Sequence, residues 1–137
     1  MTLTDEQKQK IREEYEQWKS KTYGDLNDKQ RKELGAFHTP PELTIRMIEK
    51  LTTLDDDVID PTAGSGNLIV GCILAGADPK RCYANELDPS IYNVLVERLT
   101  GLGVPKENIT MMDALSDEFA IYLRKLQGNK FRFGDMR

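Results

Sequence analysis

The stretch Asp60-Pro61-Thr62-Ala63-Gly64-Ser65-Gly66-Asn67 carries the strongest chemical signal in this chain. It sits at the carboxyl end of a short apolar run, Val58-Ile59, and opens a helix-like segment. Two glycines one residue apart, Gly64 and Gly66, let the backbone turn tightly and approach a ligand with no Cβ in the way. The pattern does not suit a phosphate: no Lys-Ser/Thr follows as in a P-loop, and the next glycine is Gly71 rather than the third of Gly-x-Gly-x-x-Gly. Asp60, a carboxylate in the loop itself, favours instead a ligand carrying an amino group.

A second acid follows at a telling distance. Glu86, in Tyr83-Ala84-Asn85-Glu86-Leu87-Asp88-Pro89, ends the next strand 20 residues beyond Gly66, where an acid can accept two hydrogen bonds from a ribose diol. Asp113, in Met112-Asp113-Ala114, ends the third strand the same way, and its carboxylate can accept from an exocyclic adenine amine. Taken singly, each acid has a plainer explanation as a helix cap or solvated loop residue. Their recurrence at three strand ends around one crevice is what points to a ligand, because open α/β sheets bind there. His38, the sole histidine, reads as a loop or packing residue rather than a base, and Asp55-Asp56-Asp57 as a solvated lead-in to the strand. Cys72 and Cys82 lack CxxC spacing and clustered histidines, so they read as buried small hydrophobes rather than as a disulfide or zinc site.

The elements that must position these residues follow from periodicity. Thr4 and Gln7 form a capping-box pattern, and Ile11, Tyr15 and Trp18 recur at helical spacing, so residues 4–21 predict a helix whose stripe packs it onto the domain or a partner. A turn over 23–28 and a short polar helix over 28–34 complete an N-terminal helical arm, residues 1–34. The rest, residues 35–137, forms an α/β domain. It opens with a helix from Pro40 to about Leu51, with Thr39 as N-cap, Pro40 at the first helical position and Glu42 closing a capping box. Leu43, Met47 and Leu51, four apart with Ile48 alongside, predict the core-facing stripe of that helix. Strands at 58–60, 81–86 and 108–112 then alternate with helices at 65–75, 90–100 and 115–127, and Gly76, Gly101 and Gly103 fall where helix C-caps belong. This βαβαβα order predicts a parallel sheet in the order 3-2-1, with the first strand at an edge available to a second copy or a partner chain.

Composition bounds the function. The 137 residues, 39% hydrophobic and 31% charged, suit one domain with a buried core. No run approaches 18 apolar residues and the N-terminus MTLTDEQKQK is polar, so the chain is expected to be cytoplasmic, with no membrane contact. A net charge of −4 argues against electrostatically driven nucleic-acid binding. Residues 1–34 hold eight basic and eight acidic side chains, so the acidic excess lies in the α/β part.

Four motifs in order, Gly35-Ala36-Phe37-His38-Thr39-Pro40, then Asp60 to Gly66, then Asn85-Glu86-Leu87-Asp88, then Asp113-Ala114-Leu115, carry a resemblance. Over residues 31–116 the chain resembles the S-adenosylmethionine half of adenine-specific (N6) DNA methyltransferases of restriction-modification type, which implies for this chain a partial Rossmann-like parallel sheet. The resemblance implies that Phe37, Thr39 and Pro40 contact the methionine end of S-adenosylmethionine, and that Asp60, Ala63 and Gly64, with Gly66 in the same turn, line its amino-acid part. It implies further that Glu86 holds the ribose, Leu87 packs on adenine and Asp113 binds the adenine amine. His38 stands where the family usually has an aromatic ring.

One family motif is missing from the 137 residues. The Asn/Asp-Pro-Pro-aromatic segment, which accepts from the target amine and stacks on the flipped base, has no counterpart. The sole Pro-Pro is Pro40-Pro41, and the sequence ends at Phe131-Arg132-Phe133-Gly134-Asp135-Met136-Arg137, where a fourth strand would begin. No catalytic residue is therefore assigned. The expected function is the cofactor-binding portion of such an enzyme, inactive alone, reaching DNA only through a missing or separate catalytic half. The alternatives are a non-catalytic module that senses S-adenosylmethionine or occupies a partner methyltransferase, and a domain for another adenosine ligand.

Overall fold

The computed structural model describes residues 1–23 and 38–128. Phe37, the helix expected over 28–34 and the terminal segment from Phe131 lie outside the described residues. The elements run α1 (Asp5–Tyr23), α2 (Pro41–Glu49), β1 (Val58–Asp60), α3 (Asn67–Leu74), β2 (Cys82–Asn85), α4 (Pro89–Gly101), β3 (Ile109–Thr110) and α5 (Asp117–Gln127).

All three strands are parallel and β2 lies in the middle, as the connectivity predicts. Asp60 pairs with Ala84, and Asn85 with Thr110, so the three carboxyl ends arrive side by side at one end of the sheet. Among the described residues β1 is an edge strand, bonded to β2 alone.

Local chemistry sets the helix starts. Thr4 N–H donates to Gln7 Oε1 at 2.9 Å and Gln7 N–H donates to Thr4 Oγ1 at 3.1 Å, the reciprocal capping box expected for α1. Asp88 accepts from the Ser90 and Ile91 amides at the start of α4, and Ser116 accepts from Phe119 N–H at the start of α5. Gly76 and Gly103 leave α3 and α4 at φ of +117° and +96°, whereas Gly101 is the last residue of α4 and Gly103 makes the left-handed turn in its place.

The helix α2 departs from the sequence expectation in two respects. Pro40 is its N-cap, no side chain caps it, and Glu42 instead pairs with Arg12 of α1 at 2.9 Å. The core face is also different: Leu43, Met47 and Leu51 are 37–48% exposed, while Thr44, Ile45 and Ile48 are buried. Gly71 of α3 is the reason. A Cβ there would stand 2.5 Å from Ile48 Cδ1 and 2.9 Å from Thr44 Cγ2, so α2 and α3 meet closely across a residue with no side chain. Thr44 fits this dry contact because its hydroxyl donates to the Pro40 carbonyl at 3.2 Å.

The core continues through Ile11, Ile69, Val70, Leu95 and Leu99, with α1 laid on α3. Trp18 is buried on α1, in keeping with a packing role. Cys72 and Cys82 are fully buried, and burial pushes their thiols up to about 12 and about 11, so they stay protonated and act as small hydrophobes. Among the described residues no helix is long and apolar enough to cross a membrane.

Candidate functional site

A cavity of about 430 Å³ opens at the carboxyl ends of the strands. That is within the range of small-molecule sites. Pro61 and Thr62 enter it from β1, Asn85, Glu86 and Leu87 from β2, and Met112, Asp113, Ala114 and Leu115 from β3. Three predicted site residues, Glu86, Leu87 and Asp113, thus line one space.

Glu86 is buried, and each of its oxygens accepts one backbone amide: Gly64 N–H to Oε1 at 3.0 Å and Asp88 N–H to Oε2 at 2.9 Å. A carboxylate has about four acceptor positions, so one remains on each oxygen for a donor in the cavity. Asp60 lies half-buried just before Pro61, and its Oδ1 accepts Thr62 N–H at 3.1 Å. Burial pushes its carboxyl above the usual carboxylate range, against the pull of the Thr62 bond, and the negative Glu86 adds to the rise. Asp113 is exposed and its Oδ1 accepts Leu115 N–H at 2.9 Å, so it shapes its own loop as well as facing the cavity. Among the described residues the lining includes no lysine, arginine or histidine. Leu87 and Leu115, 56% and 95% exposed, add apolar surface able to flank a flat ring.

The glycine turn divides into two functions. Gly64, at φ +58°, presents its amide to Glu86. Gly66, at φ +94°, points its missing side chain inward: a Cβ would meet Leu95 Cδ1 at 2.9 Å and Leu99 Cδ2 at 3.3 Å. On the side where a Cβ would stand, the close approach that Gly66 permits is to α4. Ala63 is buried in the core, and its N–H donates to the Asn85 carbonyl at 2.8 Å. Thr39 is joined to this region through its carbonyl, which accepts from Asn67 Nδ2 at 2.9 Å, whereas the Pro40 carbonyl accepts from Thr44 of α2. His38 is buried, its ring 4.4 Å from that of Tyr15, so it packs and does not open to the cavity. Asp57 pairs with Arg81 at 2.9 Å, which makes part of the acidic run a strand-edge anchor rather than a wholly solvated lead-in.

Sequence reasoning missed Asn85 as a functional residue. Its Nδ2 donates to the carbonyls of Pro61 at 3.1 Å and Met112 at 2.8 Å, while its Oδ1 accepts from Thr110 Oγ1 at 2.8 Å and Met112 N–H at 2.9 Å. The amide is saturated and ties all three strand ends together around the cavity. An amide closing the apolar run Cys82-Tyr83-Ala84 was the available signal, since a buried amide in a central parallel strand must find partners.

Parallel strands whose carboxyl ends bring Glu86 and Asp113 to one cavity make this an α/β domain with a parallel sheet. Its family is specific: residues 8–124 match the family of N-6 DNA methylases, and the chain belongs to that family. No curated protein and no solved structure matches the chain. The family match takes in most of α1, which the motif resemblance over 31–116 did not reach.

Proposed function

We propose that this chain is the S-adenosylmethionine-binding portion of a DNA adenine-N6 methyltransferase, serving methyl transfer to adenine together with a catalytic segment that its 137 residues lack. The observation that carries the reading is the acid set: Glu86 and Asp113 line the cavity, Asp60 stands beside it, and among the described residues no basic side chain lines it. Such a site favours a ligand bringing positive charge and hydrogen-bond donors. S-Adenosylmethionine fits, with its ammonium, sulfonium, ribose diol and adenine amine. When bound, it supplies an electrophilic methyl group. The chain's own part is to hold and orient: Glu86 the ribose, Leu87 the adenine face, Asp113 the adenine amine, and Asp60 with the Ala63–Gly64 turn the amino-acid end.

A second reading is a non-catalytic module that senses the cofactor or occupies a partner methyltransferase, using the same acid-lined cavity. Both readings have a use for the β1 edge. Beside it Met47, Leu51, Leu54, Val58, Ile59 and Leu68 line an apolar cavity of about 260 Å³, a surface suited to a second copy or a partner chain.

Calorimetric titration with S-adenosylmethionine, S-adenosylhomocysteine and NAD tests the site. The two adenosyl ligands are expected to bind and NAD to bind poorly; absence of binding by both adenosyl ligands rejects the reading. Incubation with labelled cofactor and duplex DNA separates the two roles: the isolated chain should transfer no methyl groups, and transfer restored by a separate catalytic chain would select the enzyme reading.

A further inference from the structure

We propose that His38 and Arg98 are positioning residues that clamp the back of the Gly64–Asn67 turn to α1, so that the seating of α1 and ligand affinity are coupled. The inference rests on the binding site proposed above, and it concerns residues of and behind the turn that lie outside the cavity lining.

Two buried arms run from consecutive residues of α1 to the same turn. In the first, His38 Nε2 lies 3.0 Å from the Tyr15 carbonyl and Nδ1 lies 2.5 Å from Ser65 Oγ. A carbonyl only accepts, so Nε2 carries the proton in the neutral ring, and the lone pair on Nδ1 receives the Ser65 hydroxyl. In the second arm, Arg98 Nη1 donates to the Ser65 carbonyl at 3.1 Å and Asn67 Oδ1 at 2.7 Å, while Nη2 reaches Glu14 Oε2 at 3.4 Å. His38, Ser65 and Arg98 are each at most 2% exposed.

A guanidinium buried this deeply is costly unless paired, and a helix that needed only packing at this position is served better by leucine. What the polar arms add is position. Ser65 is held by both arms, and its neighbour Gly64 gives its amide to Glu86 on the cavity side. A shift of α1 therefore moves the turn, and the turn carries a bond to the ribose-binding carboxylate. By linkage the coupling is reciprocal, so ligand must also steady α1.

The test uses the full chain with S-adenosylhomocysteine as probe. Glu14→Ala alters a partly exposed α1 side chain outside the cavity lining, and Ser65→Ala removes the hydroxyl of the first arm. Each is expected to weaken binding about 5- to 20-fold, the range of modest coupling between sites. Val104→Ala, which loosens the core away from α1 and both polar arms, should lower Tm and leave affinity unchanged. Arg98→Lys should keep more affinity than Arg98→Met. Wild-type affinity in Glu14→Ala and Ser65→Ala, measured well below their Tm, overturns the clamp, as does an equal loss in Val104→Ala. If wild type itself binds no adenosyl ligand, the site assignment fails separately. Amide hydrogen exchange then decides the clamp: faster exchange at Gly64 and Gly66 in Glu14→Ala upholds it, and unchanged exchange overturns it.

Discussion

The two halves of the 60–67 turn are held in opposite ways. From Ser65 to Asn67 the polar atoms meet partners from α4 and the segment before α2, and Gly66 packs against Leu95 and Leu99. From Asp60 to Gly64 the turn is held by carboxylates with acceptor capacity left over, and one of them carries a raised pKa. The saturated half can only fix structure, whereas the unsaturated half retains chemistry for a ligand. Substitutions should sort accordingly, between stability on one side and affinity on the other.

Gly66→Ala should give the largest effect, and on stability. The new Cβ forces leucine side chains apart, about 1–3 kcal/mol for overpacking, and meets a left-handed backbone worth about 1–2 kcal/mol more. Chemical denaturation should therefore show a loss of about 2–5 kcal/mol, from those two costs. A near-neutral result would mean that α4 yields easily and that the buried half is not the rigid one.

Glu86→Ala should act mainly on affinity. It removes a charged acceptor, and S-adenosylmethionine and S-adenosylhomocysteine should both weaken by about 1.5–3 kcal/mol. Stability should fall less than in Gly66→Ala, because two backbone amides lose their acceptor but no core side chain is displaced. Unchanged affinity in calorimetry removes Glu86 from the site.

Much of this division was legible in the sequence and some of it was not. The Thr4/Gln7 box is a local signal and the order of the strands follows from connectivity, and each appears where the residues predict it. The face of α2 was not legible, because the choice between Leu43-Met47-Leu51 and Thr44-Ile45-Ile48 is made by Gly71, more than twenty residues away. The same holds for Gly66, whose spacing to Gly64 suggests a ligand while its missing Cβ serves Leu95 and Leu99. Patterns within one element show which residues can be buried, and contacts between elements decide which are.

His38 gives a smaller effect with a clear pH signature. Burial is the main cause lowering its pKa, the bond to the Tyr15 carbonyl opposes it, Arg98 of α4 and Lys19 of α1 add to the lowering, and Glu16 of α1 opposes. A histidine depressed in the folded state contributes stability that is complete above its unfolded value, about 6.5, and is lost as pH falls toward the folded value. As the chain has one histidine, the fall in stability just below pH about 6.5 should belong to this side chain. Equilibrium unfolding across that window should show the slope in wild type and its loss in His38→Gln, although His38→Gln is less stable at neutral pH. A slope that survives the substitution would assign the titration elsewhere and leave the buried half without a pH-sensitive joint.

Asp60→Asn separates the two halves most finely, because stability and affinity should move in opposite directions. The raised carboxyl of Asp60 has the reverse linkage: its contribution is full below the unfolded value, about 3.9, and is lost as pH rises through the higher folded value. At neutral pH, without ligand, the ionised group is thus a small liability to the fold, set by burial and by the like charge of Glu86. Asparagine keeps an acceptor for Thr62 N–H and carries no charge, so a modest rise in Tm is expected without ligand. The same charge is what a ligand ammonium would neutralise, so binding of S-adenosylmethionine should weaken in the variant. A lower Tm would show that Asp60 is stabilised by its surroundings before any ligand arrives. Unchanged affinity alongside a higher Tm would move the amino-acid end of the ligand away from Asp60 and leave Glu86 and Asp113 as the recognising pair.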